Sequence, residues 1–215
     1  MIIRENTIEV LDVPLDNSLE VSGERDRFKE AIFFDLEHYV YKKPICVGVF
    51  GCGYFDEATS SINVRQYMIE NRKESVDILI MAAQYFNDML VNKNKKYIVT
   101  FSGNNDFTVI NYLFNKYGIK INLKEQFQEV DLQKEYEKST KENIGLKSLE
   151  KKIGIIREGE LVSGSNLAKT FSKVMKDNDY IKRMPEEKIE RILLYNEQDV
   201  VNLFHIFINW DKIKD

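Results

Sequence analysis

The chain has few of the residues that staple a fold or interrupt it. Of its 215 residues, two are cysteine, two histidine, three proline and one tryptophan. Cys46 and Cys52 lie six apart in a strand-like segment, so both point to one face. At that separation along one strand they are too distant to bridge, and buried, reduced thiols are expected. No Cys/His cluster has the spacing of a zinc site. Proline is scarce and no Pro/Gly-rich linker splits the chain, so one domain over residues 1–215 is expected. No apolar run approaches membrane-spanning length. The start, MIIRENTIEV, lacks the basic stretch and long apolar run of a secretory signal. A soluble, cytoplasmic protein with no membrane partner is the expectation. Hydrophobic residues at 43% and charged residues at 31% are ordinary globular values and argue against disorder.

Net positive charge is also missing: the formal net charge is −4. Its distribution says more than its sum. Residues 133–183 hold 12 Lys and Arg against 8 Asp and Glu, whereas residues 1–37 hold 4 against 10. The chain therefore has acidic ends and one basic stretch before its last helix.

What is present is a series of strand and helix patterns. Ala31 to Glu37 is apolar until its end and suits a central strand buried on both faces. Ile45 to Gly51 follows a short Lys42-Lys43-Pro44 turn and reads as its hairpin partner. Ser61 to Tyr67 is a third strand. Residues 74–91 have helical apolar spacing, and Tyr97 to Phe101 is another strand. A turn with capping residues leads into a helix over 106–117, which Gly118 ends. A fifth strand ends near Asp131. Helices then follow over 146–153, 166–177 and 185–207, the last with Pro185 near its first turn. The pattern predicts an α/β fold with a mixed five-stranded sheet flanked by helices. Residues 1–29 form an extension of unassigned role.

Asp35 and Glu37 are two apart on the presumed central strand and share a face. They stand at its carboxyl end, where α/β sheets tend to bind ligands. Carboxylates there are costly to bury without compensation, and a divalent cation compensates. Asp106 follows a separate strand and approaches the same edge if the two strands are neighbours. Alone, it equally suits the first turn of a helix, where the dipole favours an acid. Tyr195 and Asp199 are four apart on the last helix and share a face at the margin of its apolar stripe. Asp199 alone also reads as a boundary residue. Asn196 falls within the stripe and is expected to be buried and hydrogen-bonded. Several hard oxygen ligands of this kind suit a pair of Mg²⁺ or Mn²⁺ ions and phosphodiester hydrolysis.

These segments resemble a known family. FFDLE resembles the first motif of the DEDD-type 3′–5′ exonucleases, Asp-x-Glu after apolar residues. YIVTFSGNNDFTVI is similar to the second, an apolar strand leading to a polar turn and Asp. LLYNEQDVVNL is similar to the third, Tyr-x-x-x-Asp. The histidine variant carries His five residues before the last Asp, where this chain has Leu194; Tyr195 matches the tyrosine variant. VDLQKEY, GLKSLEKKIGIIRE and YNEQDVV together resemble the YprB-like group of predicted exonucleases. The resemblance spans about residues 30–208 and implies a ribonuclease H-like fold. It implies metal-ligand roles for Asp35, Glu37, Asp106 and Asp199, with Tyr195 positioning the attacking water. The implied partner is nucleic acid, engaged at a single-stranded 3′ end. One departure is His38, where many of these exonucleases have Thr.

In the basic stretch, Lys147 and Lys151 share a face of a short helix and can meet phosphates; a solvated helix surface is the plainer use. His38 can touch the nucleotide, an exposed polar residue at a strand end being the plainer reading. DNA and RNA are not distinguished. A non-catalytic binding module and an endonuclease or resolvase of the same fold remain as alternatives.

Overall fold

The computed structural model describes residues 1–158 and 163–214. Its strands are β1 (Ile2–Glu9), β2 (Ala31–Tyr41), β3 (Lys43–Asp56), β4 (Ser61–Met68), β5 (Tyr97–Thr100) and β6 (Gln128–Asp131). Its α-helices are α1 (Asp77–Val91), α2 (Asn104–Lys116), α3 (Leu123–Gln126), α4 (Leu132–Thr140), α5 (Leu146–Lys152), α6 (Gly164–Val174), α7 (Glu186–Ile208) and α8 (Asp211–Lys214). Among the described residues no helix is long and apolar enough to cross a membrane.

The sheet has six strands in the order β1-β4-β3-β2-β5-β6. The sequence pattern gave five; the sixth is β1, inside the extension that matched no motif. Its apolar residues are too few to announce a strand, since only one face of an edge strand is covered. β1 through β4 pair antiparallel, while β5 is parallel to both β2 and β6. β2 lies at the junction, so its carboxyl end projects past the last β5 pairing, Phe33 with Val99. A register shift between Glu37 and His38 marks a bulge there, a device that re-aims side chains.

The alternation along β2 divides the core. Ile32, Phe34 and Leu36 face α1 and α2, in a cluster with Phe50, Phe86 and Phe107. Ala31 and Phe33 face α7, packed with Phe204 and Phe207. Phe33 meets Phe204 edge-on with centroids 5.4 Å apart. The period of two then places Asp35 and Glu37 on the α7 face, one step beyond Phe33. The rest of the extension packs on this side too: Phe28 is buried in the α7 cluster, and Leu19 N–H donates to the carbonyl of Phe207 at 2.8 Å. Cys46 and Cys52 are buried and unpaired, and burial pushes the Cys46 thiol up to about 12.

Candidate active site

The apolar run of β2 ends where the sheet meets α7, and there the acidic residues begin. Asp35, Glu37 and Asp199 each bring a carboxylate oxygen to one point, and these atoms all lie within 4.8 Å of one another. Glu37 is 8% exposed and Asp199 4%, so they stand in a poorly hydrated setting. Asp106, in the first turn of α2, joins from the β5 side and is equally buried, though it lies outside that tightest group of three. A cleft of about 460 Å³ opens above them, and Tyr195, His38, Lys147 and Arg157 are among its walls.

The electrostatics are those of anions gathered without a counter-charge large enough to satisfy them. Burial, then the charge of Asp199, pushes the Asp35 carboxyl up to about 8. Burial raises Asp199 to about 6 even though Arg157 pulls the other way. Glu37 and Asp106 are both pushed well above the carboxylate range, by burial first and Asp35 next. Asp106 does stand in the first turn of α2, where the dipole favours its anion, while desolvation and the neighbouring carboxylates press the other way. Hard, closely spaced, desolvated oxygens fit a divalent cation, which would relieve their repulsion. Tyr195 is raised too, by burial and then by Asp199 and Glu37, so its phenol keeps its proton.

Three supports hold this cluster. Asn196 is fully buried. Its amide donates to Asp35 Oδ2 at 2.9 Å, and its oxygen accepts from Gln66 Nε2 at 2.7 Å. Gln66 Nε2 also donates to the carbonyl of Leu193 at 2.8 Å. One α7 side chain thus ties to β2 and β4 across β3, where Gly51 leaves it room. Arg157 is the second support. Its guanidinium donates through Nε to Glu150 Oε2 at 2.8 Å and through Nη2 to Asp199. Asn202 Nδ2 completes the Glu150 carboxylate at 3.0 Å. Asp131, at the end of β6, is the third: its Oδ1 accepts from the backbone N–H of Ser102 at 3.0 Å and fixes the turn that delivers Asp106.

Asp35, Glu37, Asp106, Asp199, Tyr195, His38 and Lys147 all border the one cleft. The His38 Nδ1 stands 3.7 Å from Asp106 Oδ1, too far for a hydrogen bond. Lys147 Nζ and Arg157 Cζ each lie 5.3 Å from the centroid of the Tyr195 ring. Lys151 is exposed one turn along α5 and is not among the lining residues of the cleft. The buried pair Arg157–Glu150 and the support from Gln66 had no sequence signal, because an ion pair between a helix and a loop leaves no spacing to read.

A family model of the RNase H superfamily matches residues 32–210. The chain belongs to the RNase H superfamily. Neither the search of curated proteins nor that of solved structures found a significant match. The α/β fold with its mixed sheet is thereby ribonuclease H-like, and the match covers β2 through α7, every element that delivers a carboxylate to the cleft. Membership points to a nuclease-type function on nucleic acid, and the acidic cluster is of the kind with which members of this superfamily hold divalent metal.

Proposed function

We propose that this RNase H superfamily member is a metal-dependent 3′–5′ exonuclease of the tyrosine-variant DEDD type, acting on single-stranded 3′ ends of DNA or RNA. The observation that carries the reading is the convergence of Asp35, Glu37 and Asp199 within 4.8 Å, with Asp106 and Tyr195 on the same cleft. Asp35, Glu37, Asp106 and Asp199 are the residues that would hold a pair of Mg²⁺ or Mn²⁺ ions. When bound, such ions lower the pKa of a water and stabilise the leaving oxygen of a phosphodiester. The protein's own part is placement. Asn196 and Arg157 fix the orientations of Asp35 and Asp199. The protonated Tyr195 hydroxyl orients the attacking water as a donor or acceptor of its hydrogen bond. Lys147 beside it offers a cation to the scissile phosphate, and His38, on the bulged end of β2, borders the position of the terminal nucleotide.

The test is digestion of end-labelled single-stranded DNA and RNA with Mg²⁺ or Mn²⁺. Stepwise release of 5′-mononucleotides from the 3′ end is expected, with circular substrates left intact. Asp35→Ala and Asp199→Ala should abolish release, and Tyr195→Phe should slow it by about 100-fold or more, the usual worth of a positioned proton-transfer or hydrogen-bonding group. Cleavage of circles would make it an endonuclease, and undiminished cleavage by both alanine variants would remove these carboxylates from the chemistry.

A further inference from the structure

The basic stretch noted in the sequence is not used up by Lys147 and Lys151. Its continuation lies on α6, which carries Lys169 and Lys173 four residues apart on one exposed face. Across from them α7 presents Lys188 and Arg191, and the four cations line a groove of about 570 Å³. Its floor is apolar, with Leu167 and Ile192 buried beneath. Tyr180 forms part of the wall, and the Lys173 ammonium lies 5.5 Å over its ring. One acid, Glu187, also borders the groove. Among the described residues, Lys169, Lys173 and Lys188 have no carboxylate within ion-pair distance. Elsewhere on the surface Arg4, Arg65 and Lys134 are each matched to a Glu.

The groove shares both its walls with the acidic cleft. On α6 the cleft is bordered by Gly164 and the groove by Asn166. On α7 the residues Lys188, Ile192, Tyr195 and Asp199 follow at helical spacing along one face. The axial rise from Lys188 to Asp199 is about 16 Å. The cationic groove therefore lies beside the carboxylates, along the same two helices, with Gly164 and Asn166 two residues apart at the boundary.

We propose that this α6–α7 groove binds the phosphodiester backbone of a single-stranded nucleic acid upstream of the end held in the cleft. The proposal rests on the nuclease reading for its direction, but the binding itself does not require cleavage. Lysines without carboxylate partners supply the counter-charge to successive phosphates, and the half-buried Tyr180 on the wall offers a ring to a base, the combination that sequence-tolerant single-strand binding uses.

Binding of the full chain to a labelled single-stranded oligonucleotide of about 20 nucleotides is measured by fluorescence anisotropy in EDTA, across a salt series. The triple variant Lys169→Glu, Lys173→Glu, Lys188→Glu, whose changes are all on exposed positions, should keep the wild-type melting curve. It should bind at least about tenfold more weakly, and the slope of log K against log salt should flatten by about 2, the worth of three phosphate contacts. Equal affinity and slope for wild type and variant, or no binding by wild type, overturns the groove. So does a polyglutamate peptide that binds as tightly as the oligonucleotide, because the surface then suits an acidic protein. A chain that binds in this way but never hydrolyses anything sinks the exonuclease reading alone.

Discussion

The amide of Asn196 donates to Asp35 Oδ2 at 2.9 Å, and so the helix that brings Asp199 to the site also sets the angle of the carboxylate on the central strand. The two carboxylate-bearing elements are therefore tied to one another. Asn196 also accepts from Gln66 on β4, which extends the connection across β3.

Asn196→Ala should leave Asp35 free to rotate and Gln66 held by the Leu193 carbonyl. Outer hydrogen-bond partners of metal ligands are worth about 10–100-fold in metal affinity. A loss in that range is expected for Mn²⁺ by isothermal titration calorimetry, together with some loss of stability. An unchanged affinity would show that Asp35 holds its place unaided.

Gly51→Ala tests the same contact from below. A Cβ at Gly51 would sit 2.1 Å from Asn196 Oδ1 and 2.8 Å from Asn196 Nδ2. Because Asn196 is hemmed in by Gln66 and Asp35, the clash is relieved by pushing α7 away from the sheet. A cost of about 1–3 kcal/mol is expected, typical of overpacking, read as a lower midpoint in urea unfolding. Metal affinity should fall with it.

Arg157→Met removes a guanidinium with 6% of its side chain exposed, from between Glu150 and Asp199. Glu150, 2% exposed, is then a buried carboxylate facing the Asn202 amide without its cation. Stranding one member of a buried pair costs about 3–5 kcal/mol. The double variant Arg157→Met, Glu150→Gln should recover much of that, because the neutral amide needs no counter-ion. In the double variant Asp199 has also lost the cation that competes for it, and Mn²⁺ should bind more tightly than to the wild type. Weaker binding would mean that orientation by Arg157 matters more than competition from it.

The pH dependence follows from raised carboxyl values. An unfolded Asp titrates near 3.8, while Asp35 in the fold is pushed up to about 8 by burial and by Asp199. Between those values the native state holds the extra proton, so this group's contribution to stability falls as pH rises. His38 and His205, both lowered by burial, act in the opposite sense near their own range. The clean measurement is therefore a difference in melting temperature without metal, Asp35→Asn minus wild type. It should widen from about pH 4 to pH 8 and reach at least about 2–4 °C, the shift that ~1 kcal/mol gives in a domain of this size. Mn²⁺ should raise the wild-type melting temperature most at the alkaline end, since it competes with protons for the same oxygens. A difference that narrows with pH would show that the Asp35 carboxyl is not raised in the fold.

Much of this site was legible because its residues obey periodicity. Asp35 and Glu37 share a strand face, and Tyr195 and Asp199 share a helix face, so spacing alone pairs them. Joining the pairs needed the parallel placement of β5 beside β2, which the apolar runs left as a condition and the motif order of a known family supported. Asn196 could be read as buried from its place in the apolar stripe, but its partner could not. Nothing in a list of residues says that Gly51 lies under it, or that Gln66 reaches it from β4. Arg157 looked like one more cation of a basic stretch. It becomes an internal partner of Asp199 through the path of the segment after α5, which no local pattern fixes. β1 was missed for a related reason: with Arg4, Glu5, Asn6 and Glu9 among its eight residues, it has too little apolar surface to register as a strand.

That composition has a consequence for how the molecule meets copies of itself. Without residues 2–9, the free margin of the sheet would be β4, whose Ile62, Val64, Tyr67 and Met68 are buried and whose row of N–H and C=O groups would stand open to any other extended chain. β1 closes that row residue for residue, from Ile2 opposite Met68 to Glu9 opposite Ser61. It then presents its own outer margin studded with charge, a poor template for strand addition. A version trimmed at the front should keep the acidic cleft three strands away and yet become sticky, self-associating through the margin that the first strand had sealed.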